Sequence, residues 1–202
     1  GIDAMRSSDP GAYSRVARST GYRPAEGAEC LRIAGLIKGT NPGGDAVIEQ
    51  FDGYYRLKQV PITRWTRNGL PEWPRGVDEK NVLHTNLAKQ ADIVLLMAMF
   101  PDRFTLEQKR RNFSYYEKRT LHMSSLSACI FALAGLEWGV GKNAMRYFMS
   151  SLYTDLRDGQ RNTGKGMHAA CCGGNWQVLG RGFAGVGTAD GALSINPRVP
   201  RR

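Results

Sequence analysis

Thr120–Ile130 reads TLHMSSLSACI, and Asn162–Trp176 reads NTGKGMHAACCGGNW. In each, a short polar segment rich in hydroxyls or glycine leads into an apolar run, and those runs decide the fold class. The run Leu126–Leu136 is far too short to cross a bilayer and has the length of a buried helix segment. Helices are predicted at about Ser125–Trp138, Lys142–Arg157 and Met167–Gly180. The chain that precedes them shows no strand–helix alternation and no heptad repeat, so the fold is read as mainly α.

Upstream, Pro24 opens a helix to about Lys38, with small or apolar residues at Ala28, Leu31, Ala34 and Leu36, and a shorter helix before it. TNPGGD from Thr40 is a breaker cluster, and VIEQFDGYYRL after it is read as extended or irregular chain. Val60–Gly76 is a long structured loop carrying Trp65 and Trp73. One long helix is predicted over Val77–Phe100, its second half KQADIVLLMAMF being apolar almost all round. TLEQ at Thr105 is a capping box with Gln108 reaching back, and it opens a helix toward Glu117.

The chain has 202 residues, 42% of them hydrophobic and 23% charged, a composition that predicts an ordered globular structure. Its formal charge of +10 suits anionic partners. Apart from Lys109–Arg111 and the terminal arginines the cations are scattered and no reading motif accompanies them, which argues against nucleic acid. Cys30, Cys129, Cys171 and Cys172 show no CxxC spacing, so free thiols in a reducing cytoplasm are expected. No transmembrane segment is predicted. LSINPRVP near the end resembles a strand entry, and both termini are read as cuts in a longer protein.

Three constellations offer chemistry. Ser124 and Ser125 stand at a loop-to-helix junction, where free N–H groups, the helix dipole and two hydroxyls suit an anion; from the residues alone a helix cap at Leu126 is the favoured reading. His168 follows Gly164 and Gly166, which permit close backbone approach, and opens a helix; a lone histidine is more often structural than functional. Lys89 and Gln90 together present donors and an acceptor suited to sugar hydroxyls, although a KQ pair on a helix is also an ordinary surface feature. Glu49 is read as a buried hydrogen-bonding residue, Cys171 and Cys172 as small packed residues, and Gly173 and Gly174 as sites of close helix packing.

Taken in order, IEQFDGYY, KQADIVL, HMSSLS and TGKGMHAACCGGNW resemble the catalytic domain of glycoside hydrolase family 65, over about Pro10–Pro200. The resemblance implies a partial (α/α)6 barrel of helical hairpins: residues 1–188 as the C-terminal half of the catalytic barrel, and 189–202 as the truncated entry to a C-terminal β domain. Roughly half of the barrel is then expected upstream, and its apolar inner faces here need covering. It also implies phosphate binding by Ser124, Ser125 and His168, glucosyl binding by Lys89 and Gln90, and a general-acid glutamate upstream of Gly1. Met123 stands where relatives often carry a polar residue and Lys165 where many carry an acid, which leaves acceptor and linkage open.

The implied activity is inverting phosphorolysis of a glucose disaccharide such as maltose, trehalose or kojibiose, giving β-glucose 1-phosphate. No cofactor or metal is implied, inorganic phosphate being a co-substrate, and the intact protein is expected to be a homodimer. The absence of a carboxylate between Arg119 and Leu136 favours phosphorolysis over hydrolysis. A family hydrolase with its base elsewhere, and a non-catalytic basic helical module, are the alternatives.

Overall fold

The structure is a computed structural model that describes residues 2–36, 46–66, 70–90, 92–189 and 191–198. It falls into two compact units, divided near residue 40. The TNPGGD cluster lies outside the described residues, as does the end of the helix expected to reach Lys38.

The first unit holds α1 (Ile2–Ser8), α2 (Pro10–Thr20) and α3 (Pro24–Leu36). Asp9 caps α2 by accepting a hydrogen bond from the Ala12 amide at 2.8 Å, with Pro10 in the first turn. None of the three helices has a buried residue within the described chain, and Leu31 and Leu36 of α3 are 74% and 71% exposed.

The second unit contains α4 (Asp92–Met99), α5 (Leu106–Glu117), α6 (Ser127–Trp138), α7 (Ala144–Leu152) and α8 (Ala169–Gln177). It ends in a hairpin of β1 (Val186–Ala189) and β2 (Ala192–Ile195). The hairpin opens ahead of residue 189. The second unit is mainly helical, with α6 at its centre, packed against α4, α5, α7 and α8. Helix α6 is apolar on nearly all faces, and Phe131, Ala132 and Ala134 have no exposed surface. Gly139, with φ 68°, ends it in the left-handed conformation that favours glycine. The capping box of α5 is present, with Thr105 Oγ1 accepting from the Gln108 amide at 3.1 Å and Gln108 Oε1 from the Thr105 amide at 3.0 Å.

The long helix expected over Val77–Phe100 does not form; only Asp92–Met99 is α-helical. Two causes are visible. Asp78 and Asn81 bond to local backbone groups, Asp78 Oδ1 accepting from the Lys80 amide at 2.9 Å and Asn81 Nδ2 donating to the Gly76 carbonyl at 3.0 Å, which competes with helix. Beyond them, the backbone of residues 84–89 pairs with other chain segments: the Lys58 amide donates to His84 O at 3.2 Å, and the Ala88 amide to Arg119 O at 2.7 Å. Apolar content in KQADIVLLMAMF marked burial correctly but extended the helix too far upstream. Helix α7 likewise stops at Leu152 rather than Arg157, the chain continuing in turns, and after α8 the chain runs on as a π turn over Val178–Phe183.

The IEQF segment is held from the core side. Asn112, fully buried on α5, accepts from the Ile48 amide at 2.8 Å and donates to Ala46 O at 3.2 Å and Gln108 O at 2.9 Å. Tyr116 Oη donates to Ile48 O at 2.5 Å. Glu49 is half-buried rather than buried and accepts from the Tyr55 amide at 3.0 Å. Gly174 is a true close approach, since a Cβ there would meet Cys129 Sγ at 2.4 Å, whereas Gly173 faces open space. Replacing Asn112 with alanine strands the buried Ile48 amide. The expected loss is about 1–3 kcal/mol of stability, read as a lower denaturant midpoint with unchanged slope.

Candidate active site

Two loops meet in parallel. The Ala88 amide donates to Arg119 O at 2.7 Å, the Leu121 amide to Ala88 O at 2.8 Å and the Met123 amide to Lys89 O at 3.0 Å. The Lys89–Gln90 pair and the HMSSLS stretch are thereby brought side by side, on bends before α4 and not on a helix. Lys89 is exposed. Gln90 Nε2 donates to Asp92 Oδ1 at 2.8 Å, and Asp92 Oδ2 lies 3.4 Å from Gln50 Nε2, so IEQF converges on the same point. Gln50 Oε1 is buried without a partner.

Ser124–Ser127 form a turn, the Ser127 amide donating to Ser124 O at 3.0 Å, and α6 starts at its end. Ser124 Oγ accepts from the Leu126 amide at 3.4 Å, a weak cap, and Ser125 beside it is half-buried. Both serines line a cavity of about 460 Å³ that also takes in His122, Arg146, Ser150 and Arg157. Among the described residues no carboxylate lines it.

His122 is buried, with its backbone at φ 53°. Its Nδ1 sits 2.9 Å from Ser127 Oγ, and its ring packs 4.9 Å from both Phe131 and Tyr147. Burial, aided by the positive charge of Arg146, pushes its pKa down to about 3, so the ring is neutral. Arg146 and Arg157 are exposed at the cavity rim, Arg157 stacking 3.8 Å over Tyr153.

His168 stands at the N-cap of α8 and does not line this cavity. Asp155 holds it twice, through Nδ1 at 2.5 Å and the backbone amide at 2.9 Å. These bonds keep the Asp155 carboxyl below the usual carboxylate range. They orient the ring and leave Nε2 as the nitrogen available to a ligand. The tie matters because Asp155 belongs to the turn after α7 whose Thr154 and Arg157 do line the cavity. Cys171 is buried against Ser151 Oγ at 3.2 Å, as its packing reading required, while Cys172 is exposed, and all four cysteines are free. Among the described residues no group of His, Cys, Asp and Glu could hold a metal ion, and no helix is long and apolar enough to cross a membrane.

His122, Asp155, Arg146 and Arg157 were not singled out from sequence. A signal for the arginines existed: Arg146, Ser150, Tyr153, Thr154 and Arg157 recur at spacings of three and four, a polar stripe along one helical face. The signal for His122 was its place beside the serines.

A model of the glycosyl hydrolase family 65 central catalytic domain matches residues 37–177. The kojibiose phosphorylase of Caldanaerobacter subterraneus subsp. tengcongensis is 39% identical over 202 residues, covering 100% of this chain and 26% of that protein. The kojibiose phosphorylase of Thermoanaerobacter brockii is 46% identical over 157 residues, 77% of this chain and 20% of its own length. A solved protein from the human microbiome, described as a candidate kojibiose phosphorylase, superposes with a TM-score of 0.76 at 25% identity, over 93% of this chain and 26% of that one. The chain thus spans about a quarter of the length of these relatives. With the family model matched over most of the chain, the protein belongs to glycosyl hydrolase family 65.

Proposed function

We propose that this chain carries the phosphate- and glucosyl-binding part of an inverting α-glucoside phosphorylase, which cleaves a glucose disaccharide with inorganic phosphate to give β-glucose 1-phosphate. The observation that carries the proposal is the cavity at the serine turn, whose wall among the described residues offers hydroxyls, the His122 imidazole and guanidiniums but no carboxylate. An inverting hydrolase needs a carboxylate base to activate water. Phosphate arrives charged and nucleophilic, so donors that position it replace the base. Ser124, Ser125 and His168 are assigned to the phosphate, Lys89 and Gln90 to the glucosyl hydroxyls. Protonation of the leaving oxygen is assigned to a glutamate outside this chain, the helices to half of an (α/α)6 barrel, and the intact protein to a homodimer. No cofactor is invoked. Both curated relatives named above are kojibiose phosphorylases, which makes kojibiose the first disaccharide to assay.

The test is turnover by the full-length protein with and without phosphate, followed by proton NMR. The β anomer of glucose 1-phosphate is expected, formed only with phosphate. Free glucose released at full rate in phosphate-free buffer would overturn the proposal and make water the nucleophile.

Within that enzyme, Ser125→Ala and His168→Ala are each expected to raise the Michaelis constant for phosphate roughly ten- to a hundredfold, the loss of one bond to a charged group, with a far smaller effect on the disaccharide. Asp155→Asn should move phosphate in the same direction by releasing the imidazole. Because the Asp155 pKa is lowered, the wild-type anchor persists through neutral pH and is lost only as pH falls through that lowered value.

Lys89→Ala and Gln90→Ala should show the opposite split, weakening the disaccharide by about 0.5–3 kcal/mol while phosphate is little changed. Steady-state constants varied in both substrates distinguish the two patterns, and wild-type constants for the disaccharide in both variants would return the pair to an ordinary surface role.

A further inference from the structure

The proposed mechanism leaves three nitrogen groups of the cavity unused. His122 is 3% exposed, its Nδ1 is taken by Ser127, and its Nε2 has no hydrogen-bond partner among the described residues. An unpaired buried ring nitrogen is costly and uncommon. The same residue holds a left-handed backbone at φ 53°, which a non-glycine residue adopts only where its surroundings enforce it. The ring is locked as well, at 4.9 Å from Phe131 and from Tyr147. Strained backbone, fixed ring and orphaned nitrogen coincide in a residue on the cavity wall.

Arg146 and Arg157 complete the picture. Both line the cavity, and among the described residues neither has a carboxylate within ion-pair distance. Nearby acids are committed elsewhere: Asp155 to His168, and Glu117 to Asn143 Nδ2 and Tyr147 Oη, each at 3.1 Å. Guanidiniums, hydroxyls and an imidazole without any acid favour an oxyanion over a neutral sugar, whose hydroxyls also need acceptors.

We infer that His122, Arg146 and Arg157 bind a phosphate-class oxyanion in this cavity, His122 as an N–H donor through Nε2 and the two guanidiniums as its counter-charge. This assignment requires the Ser127 hydroxyl to donate to Nδ1, 2.9 Å away, so that the ring proton lies on Nε2. That the anion is inorganic phosphate rests on the phosphorylase reading; the three residues go beyond it.

The experiment titrates inorganic phosphate into the full-length protein by calorimetry, with nitrogen-15 NMR of the histidine rings. Arg146→Gln and Arg157→Gln are each expected to weaken phosphate roughly ten- to a hundredfold, with Arg157→Lys recovering part of the loss. The His122 Nε2 resonance should shift on phosphate addition. These readouts avoid replacing a buried histidine, which risks unfolding the site. Failure to bind phosphate, wild-type phosphate affinity in both arginine–glutamine variants, or a His122 resonance unmoved at saturating phosphate would overturn the inference. Phosphate bound as expected by a protein that only hydrolyses the disaccharide would support these residues and remove the phosphorylase reading. Phosphorolysis with unaltered phosphate affinity in both arginine variants would do the reverse.

Discussion

The backbone pairing of residues 88–89 with 119–123 is the constraint on which the site depends. Three hydrogen bonds carry residues far apart in sequence into one short parallel contact, and each of the two strands of that contact then runs directly into a buried helix, α4 or α6. Because α4 and α6 pack on each other, the loops cannot slide without moving the core. Lys89, Gln90, Ser124 and Ser125, the groups proposed to meet substrate, therefore lie on irregular backbone held by a rigid helical frame, the usual division between positioning and chemistry.

Much of that frame was legible in the sequence, and the reasons differ by element. The capping box at Thr105, the apolar run of α6 and the breaker-rich loop before Gly76 all rest on local rules, and all appear in the structure. The helix expected over Val77–Phe100 failed because its first half is governed by non-local pairing with Lys58 and Arg119, which no helical periodicity encodes. The serine pair and the KQ pair could be picked out as chemical groups, but their adjacency could not, since it follows from that same pairing. His122 was passed over for a related reason. Its importance lies in a left-handed φ and an unpaired nitrogen, and neither is a property of residue type.

Two histidines in this unit show how burial divides roles among identical side chains. His168 is part-exposed and held by Asp155 through both its ring Nδ1 and its backbone amide. His122 has only a hydroxyl at Nδ1, aromatic rings on its flanks and an arginine nearby, and remains neutral. A neutral N–H can be buried at moderate cost once a ligand pairs it, whereas a buried cation would need its own counter-ion in the dark half of the cavity. Placing the permanent charges on Arg146 and Arg157 at the exposed rim keeps them solvated when no ligand is present.

This arrangement also bears on how the phosphorylase proposed above would dispense with a base. A carboxylate placed to activate water would sit among the same donors and pair with Arg146 or Arg157, filling the anion position itself. Phosphate and carboxylate would then compete for one set of hydrogen bonds, with the resident group favoured by its effective concentration. The existing carboxylates escape that competition because each is already committed, Asp155 to His168 and Glu117 to Asn143 and Tyr147, away from the cavity wall. On the phosphorylase reading, keeping acids engaged elsewhere is as much a part of the site as the donors that face it, and where the negative charges are kept is what favours phosphate over water as nucleophile.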